Sequence, residues 1–114
     1  MASVMQETKY GNTSLATWNL TTADPTGDVI ERPGASDRSV QVKGTFGGAT
    51  VVLEGNLDGG DVFATLHDPG GVAITFTAAG VLAISENVTH VRAKLSPVGS
   101  GADVTVLLLS RSTR

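Results

Sequence analysis

Apolar and polar residues alternate with a period of two through much of this chain. From residue 38 it reads Arg-Ser-Val-Gln-Val-Lys-Gly-Thr-Phe, Gly47-Gly48, Ala-Thr-Val-Val-Leu-Glu-Gly-Asn-Leu, Asp58-Gly59-Gly60, Asp-Val-Phe-Ala-Thr-Leu. Val40, Val42 and Phe46 share one parity, with Gln41, Lys43 and Thr45 on the other. A half-buried strand produces this pattern, because successive side chains point to opposite faces of a sheet. The runs are rich in β-branched residues, and the glycine pairs between them are of the kind that close antiparallel hairpins. The segment therefore predicts a β-meander at the centre of the chain.

Outside the meander the same reading continues. Thr13 to Leu20 makes a first strand, with Leu15, Thr17 and Asn19 on one parity and Ala16, Trp18 and Leu20 on the other. Ala23-Asp-Pro-Thr-Gly27 is a turn, since Pro presets φ and Gly tolerates positive φ. Val29 to Arg32 is short and is broken by Pro33-Gly34. After the Asp68-Pro-Gly-Gly71 turn, Val72, Ile74 and Phe76 alternate with Ala73, Thr75 and Thr77, and Val81 to Ser85 follows. His90 to Leu95 sets Val91, Ala93 and Leu95 against Arg92 and Lys94, and Ala102 to Ser110 is the last strand. No stretch holds a helical period over three turns. About eight strands with turn signals every 8–12 residues or so indicate a sandwich or barrel.

The chain has 114 residues, which suits one domain. The expectation is an all-β, single antiparallel β-sandwich over residues 13–114. The polar residues 1–12 are expected to form a flexible N-terminal arm rather than part of the core.

Charge and composition narrow the function classes. Eight basic and eleven acidic residues give a net charge of −3, and the only clustered positive pair is Arg111 and Arg114. Nucleic-acid binding calls for a concentrated basic surface, so no nucleic-acid partner is expected. Three Phe, one Trp and one Tyr are few for a core and a stacking platform together. The start, Met-Ala-Ser-Val-Met-Gln-Glu, has no basic or apolar signal region, and Val104 to Leu109 is too short to span a bilayer. No membrane partner is expected, and the sequons at Asn12, Asn19 and Asn87 are read as chance. With no cysteine there is neither a disulfide nor a thiolate metal site.

Candidate chemistry is thin. His67 and His90 are the only histidines, whereas a zinc site normally takes three or four N or S ligands. Asp58, Asp61 and Asp68 surround the glycine turns and could offer loose calcium ligands, but Asp at such places usually closes turns through its own side chain. No serine lies in G-x-S-x-G, and Phe46-Gly-Gly-Ala joins strand to strand without a helix start to hold an anion. Glu54 and Glu86 have no sequence relationship that would pair them. The expectation is no enzyme, no catalytic residue, no metal and no cofactor.

Trp18 is either a core filler or a partner contact. In the last strand Val104, Val106 and Leu108 belong to the core face, which leaves Leu107 and Leu109 beside Thr105 on the other. Two leucines on an outward face mean cover by an arm or loop, or a partner surface. Tyr10, Trp18, Leu107 and Leu109 are the candidate partner-interface residues.

The segments "VQVKGTFGGATVVLEGN", "VFATLHDPGG" and "ITFTAAGV", with His90-Val-Arg-Ala-Lys-Leu and "ADVTVLLL", lie within residues 38–109, about two-thirds of the chain. This region resembles small structural proteins of tailed bacteriophages, in particular capsid decoration (cement) proteins. The resemblance implies a jelly-roll-like fold and a place on the capsid exterior of the virion after synthesis in the host bacterial cytoplasm. It further implies the major capsid protein as partner and a homo-oligomer, dimer or trimer, on the shell. A phage neck, tail or fibre component and a carbohydrate-binding β-sandwich module are the alternatives.

Overall fold

The structure, a computed structural model, describes residues 5–10, 13–31 and 37–111, the first of these segments as backbone only. Within them the chain is strand and turn throughout. The strands are β1 (Met5–Tyr10), β2 (Thr13–Thr21), β3 (Ile30–Glu31), β4 (Asp37–Thr45), β5 (Val51–Asn56), β6 (Ala64–Thr65), β7 (Thr75–Phe76), β8 (Gly80–Ala83), β9 (His90–Leu95) and β10 (Asp103–Arg111). They form two sheets, β1-β2-β10-β4-β8 and β3-β9-β5-β6, with β7 also pairing to β5. Every pairing is antiparallel.

The pairs β2/β10, β3/β9, β4/β8 and β5/β6 reveal the plan. The chain runs out from β2 to β5 and returns from β6 to β10 as one long hairpin. Rolling that hairpin places alternate pairs in opposite sheets, which is the jelly-roll form of a β-sandwich.

The predicted meander is corrected by this arrangement. β4 and β5 lie in different sheets, so the Gly47-Gly48 turn carries the chain across the sandwich instead of closing a hairpin. Its local chemistry is as expected of a turn: Gly47 has φ of 58°, and the Ala49 amide donates to the Phe46 carbonyl at 2.8 Å. A tight turn reverses the chain equally well within a sheet or between sheets. Which it does is set by what the following strand packs against, and here the loop docks on residue 100, whose amide donates to the Gly47 carbonyl at 2.9 Å.

Side-chain parity follows the sequence pattern closely in the long strands. Ala16, Trp18 and Leu20 of β2, Val40 and Val42 of β4, Val91, Ala93 and Leu95 of β9, and Val104, Val106 and Leu108 of β10 all enter the core. Each buried Val or Leu among them contributes about 1.5–3 kcal/mol by leaving water, and each Ala less. Parity fails once: Ile74 and Phe76 are buried as expected, but Val72 is exposed in the turn before them.

The arm expected over residues 1–12 is, over Met5–Tyr10, an edge strand paired to β2. An edge strand needs only backbone groups for pairing, so a polar segment without a core-facing pattern can take that place. The remainder of the arm, the Pro33-Gly34 break and Arg114 lie outside the described residues.

Candidate functional site

The two outer faces of the sandwich differ in chemistry. On the β3-β9-β5-β6 sheet the charged outward residues pair among themselves, beside Val52 and Asn56. Glu54, only 5% exposed, accepts a 2.6 Å hydrogen bond from Arg92 Nε and lies 3.5 Å from Lys94 Nζ. The Arg92 guanidinium also sits 3.9 Å from the centroid of the Phe63 ring. His90 places Nδ1 2.6 Å from Thr89 Oγ1 and Nε2 3.8 Å from Glu31. Cross-strand register makes this network, since β5 and β9 set Glu54 directly opposite Arg92.

The β1-β2-β10-β4-β8 sheet is different. Its outward residues form two registered rows across four strands: Ala83, Ser39, Leu109, Leu15 and then Val81, Gln41, Leu107, Thr17. Leu109 stands directly opposite Leu15, and Leu107 lies one row away. Together with Val81, which is 63% exposed, they border a shallow groove of about 280 Å³. Leu15, Leu107 and Leu109 are half-buried in the sheet surface itself. Beyond the rows lie Lys43 and Asp103 at one end and Asp37 and Arg111 at the other, all exposed.

Other polar groups are engaged locally. Asp58 Oδ1 accepts the Gly60 amide at 2.9 Å, and Asp68 Oδ1 accepts those of Gly70 and Val72 at 2.9 and 3.0 Å. These are side-chain-closed turns, and no group of three or more potential metal ligands occurs among the described residues. Glu86 receives the His67 amide at 2.7 Å and faces its Nδ1 at 2.5 Å. Burial disfavours the Glu86 carboxylate, but these hydrogen bonds and the charge of His67 outweigh it and hold its pKa below the usual carboxylate range. Glu54 and Glu86 thus serve separate ion pairs. Arg38, on the inner side of β4, donates to Asn87 at 3.1 Å, and burial lowers its pKa.

The candidate interface residues fare differently. Leu107 and Leu109 are brought together on the outer face. Trp18 as a partner contact is corrected: it is fully buried, and its Nε1 donates to the Asp28 carbonyl at 2.7 Å. A single large aromatic in a small sandwich is the side chain best able to fill the space between the sheets. Tyr10 stands opposite Thr13 at the end of β1, and its side chain lies outside the described residues. Leu15 and Val81 join the face without having been singled out in the sequence. The signal for Leu15 was available, because it has the opposite parity to Ala16, Trp18 and Leu20. Val81 carried none, since its neighbour Leu82 is equally apolar.

The fold is shared with solved structures. The SPBc2 prophage-derived protein YomS aligns with a TM-score of 0.61 over 98% of both chains, at 11% identity. Protein NMB1881 from Neisseria meningitidis aligns with a TM-score of 0.51 over 98% of this chain and 87% of its own, at 9% identity. At such identities the likeness is one of backbone architecture. No protein-family model matches the sequence, and no curated protein matches it.

Proposed function

We propose that this chain is a bacteriophage structural protein that decorates the capsid exterior and stabilises the shell by bridging neighbouring major capsid proteins. The observation that carries the reading is the outer face of the β1-β2-β10-β4-β8 sheet, where Leu15, Leu107, Leu109 and Val81 form an apolar surface with a charged border. Apolar patches with polar rims characterise assembly surfaces. Two further features support it: the sequence resemblance to phage decoration proteins, and the prophage origin carried in the name of the fold neighbour YomS.

The physical basis of cementing is linkage. A protein that binds only the assembled lattice stabilises it by mass action, about 2.7 kcal/mol per site when its concentration exceeds the dissociation constant a hundredfold. The test is the copy number in purified particles, with rebinding of the isolated protein to stripped shells. Hundreds of copies on the shell surface, and restored resistance to heat or chelation, are the expected results. A handful of copies at one vertex would instead make it a neck or tail component.

A further inference from the structure

We propose that the apolar outer face joins two copies of this chain face to face, about a two-fold axis lying in the sheet plane and perpendicular to the strands. The proposal rests on the assembly reading of that face and assigns the face to a second copy, so that the pair, rather than the single chain, is the unit that bridges capsid proteins.

Charge placement selects the partner and the axis. On β10, Asp103 and Arg111 lie four residues either side of Leu107, both on the outward parity. On β4, Lys43 and Asp37 lie three residues either side of Val40, also outward. Gln41 and Leu107 are register partners, as are Val40 and Leu108, so the two centres differ by one residue. Long Lys and Arg side chains span that offset. The proposed axis turns β10 end for end over its copy. Asp103 then faces Arg111 of the second chain, Lys43 faces its Asp37, and the leucines meet at the centre. An axis along the strands would set Asp103 on Asp103 and Arg111 on Arg111, bringing like charges together. The face is therefore self-complementary in one orientation, which is what an isologous interface demands, and each contact is made twice.

The four charges are available for this. Among the described residues none of Asp37, Lys43, Asp103 and Arg111 makes an ion pair, although Asp37 and Arg111 are register partners. Asp103 Oδ1 accepts a hydrogen bond from Asn19 Nδ2 at 2.8 Å, which leaves its second oxygen for a further contact. The outer face of the other sheet differs in this respect, because Glu54 pairs with both Arg92 and Lys94 within the chain.

Area sets the strength. The strands of this sheet offer roughly 500 Å² per copy, from ~3.3 Å per residue and ~4.8 Å between strands. That lies at the small end for specific interfaces, near ~1,000 Å² in total. The dimer is therefore concentration-dependent in solution, and tethering to a shell would raise its occupancy.

Sedimentation equilibrium of the full chain without shells, across micromolar to near-millimolar concentration, tests the proposal. A reversible monomer–dimer equilibrium is expected. Val81→Lys, at an exposed position that leaves folding intact by circular dichroism, should weaken it. Lys43→Asp should weaken it by about tenfold or more, the loss expected for close interfacial charge pairs. The double variant Lys43→Asp/Asp37→Lys should restore dimerisation, because the swapped charges meet again across the axis. A monomer at every concentration, or a dimer indifferent to Val81→Lys, overturns the proposal. Failure of the charge swap to rescue overturns the antiparallel arrangement. Shell binding is read separately. A dimer that does not bind shells leaves the pairing intact and removes the cement role. A monomer whose shell binding is lost in Val81→Lys assigns the face to the capsid protein instead.

Discussion

Trp18 donates its indole hydrogen to the backbone carbonyl of Asp28 at 2.7 Å, tying the largest core side chain to the connection between β2 and β3. That connection is held down from its other side as well. The Gly27 amide donates to the Ala93 carbonyl, and the Leu95 amide to that of Pro25, each at 2.8 Å.

Gly27→Ala should therefore be costly. A Cβ at this position would lie 2.7 Å from Trp18 Nε1 and 3.0 Å from the Ala93 carbonyl oxygen. Neither the buried ring nor the paired strand can retreat, so the loss should be about 1–3 kcal/mol, as for overpacking elsewhere. The fluorescence of Trp18, the only tryptophan, reports the melt directly. A midpoint lowered by several degrees is expected, and an unchanged one would mean that the loop is not pressed onto the indole.

Glu54→Ala should destabilise by about 1.5–3 kcal/mol, the range for hydrogen bonds to charged groups. The carboxylate is nearly inaccessible and serves Arg92 and Lys94 together. Because it is shielded from solvent, the effect should change little between low and high salt, unlike that of an exposed pair. Urea denaturation at two ionic strengths measures both quantities. A variant within 0.5 kcal/mol or so of the parent would show that Arg92 is held by Phe63 instead.

Glu86 gives the stability a directional pH dependence. Its folded pKa is depressed by the His67 hydrogen bonds and charge acting against burial. The carboxylate therefore contributes stability that is fully present above the unfolded range, about pH 4.3. That contribution is lost as the pH falls through the lower folded value. Glu86→Gln should be less stable than the parent at neutral pH and should converge with it in acid. Urea midpoints measured across that window test the sign, and a gap that widens in acid would reverse it.

Thermal midpoints should be the same in chelator and in added calcium. The Asp58 and Asp68 carboxylates that could have bound a cation already accept turn amides. A calcium-induced rise of several degrees would locate a bound ion, and Asp68→Asn would then be expected to abolish it.

Strand positions were legible in the sequence wherever alternation ran for several residues. The parity of Val104, Val106 and Leu108 identified the inner face of β10, and with it the surplus leucines Leu107 and Leu109. The Asp58 and Asp68 turns were legible for the same reason: their hydrogen bonds reach only two to four residues along the chain. Alternation is a property of the backbone itself, because each Cβ points opposite to the one before it.

Partnership was not legible. Nothing in β4 says that its neighbours are β10 and β8 rather than β5, or that Gly47-Gly48 crosses between sheets. Nor does β2 announce that Trp18 will lie inside while Leu15 meets Leu109 outside. Those outcomes depend on contacts between segments far apart in the chain, chosen by which pairing of faces buries the most apolar surface at once. The outer groove exists only because β2, β10, β4 and β8 were set side by side in that register, so the residues that form it share a surface without sharing a motif.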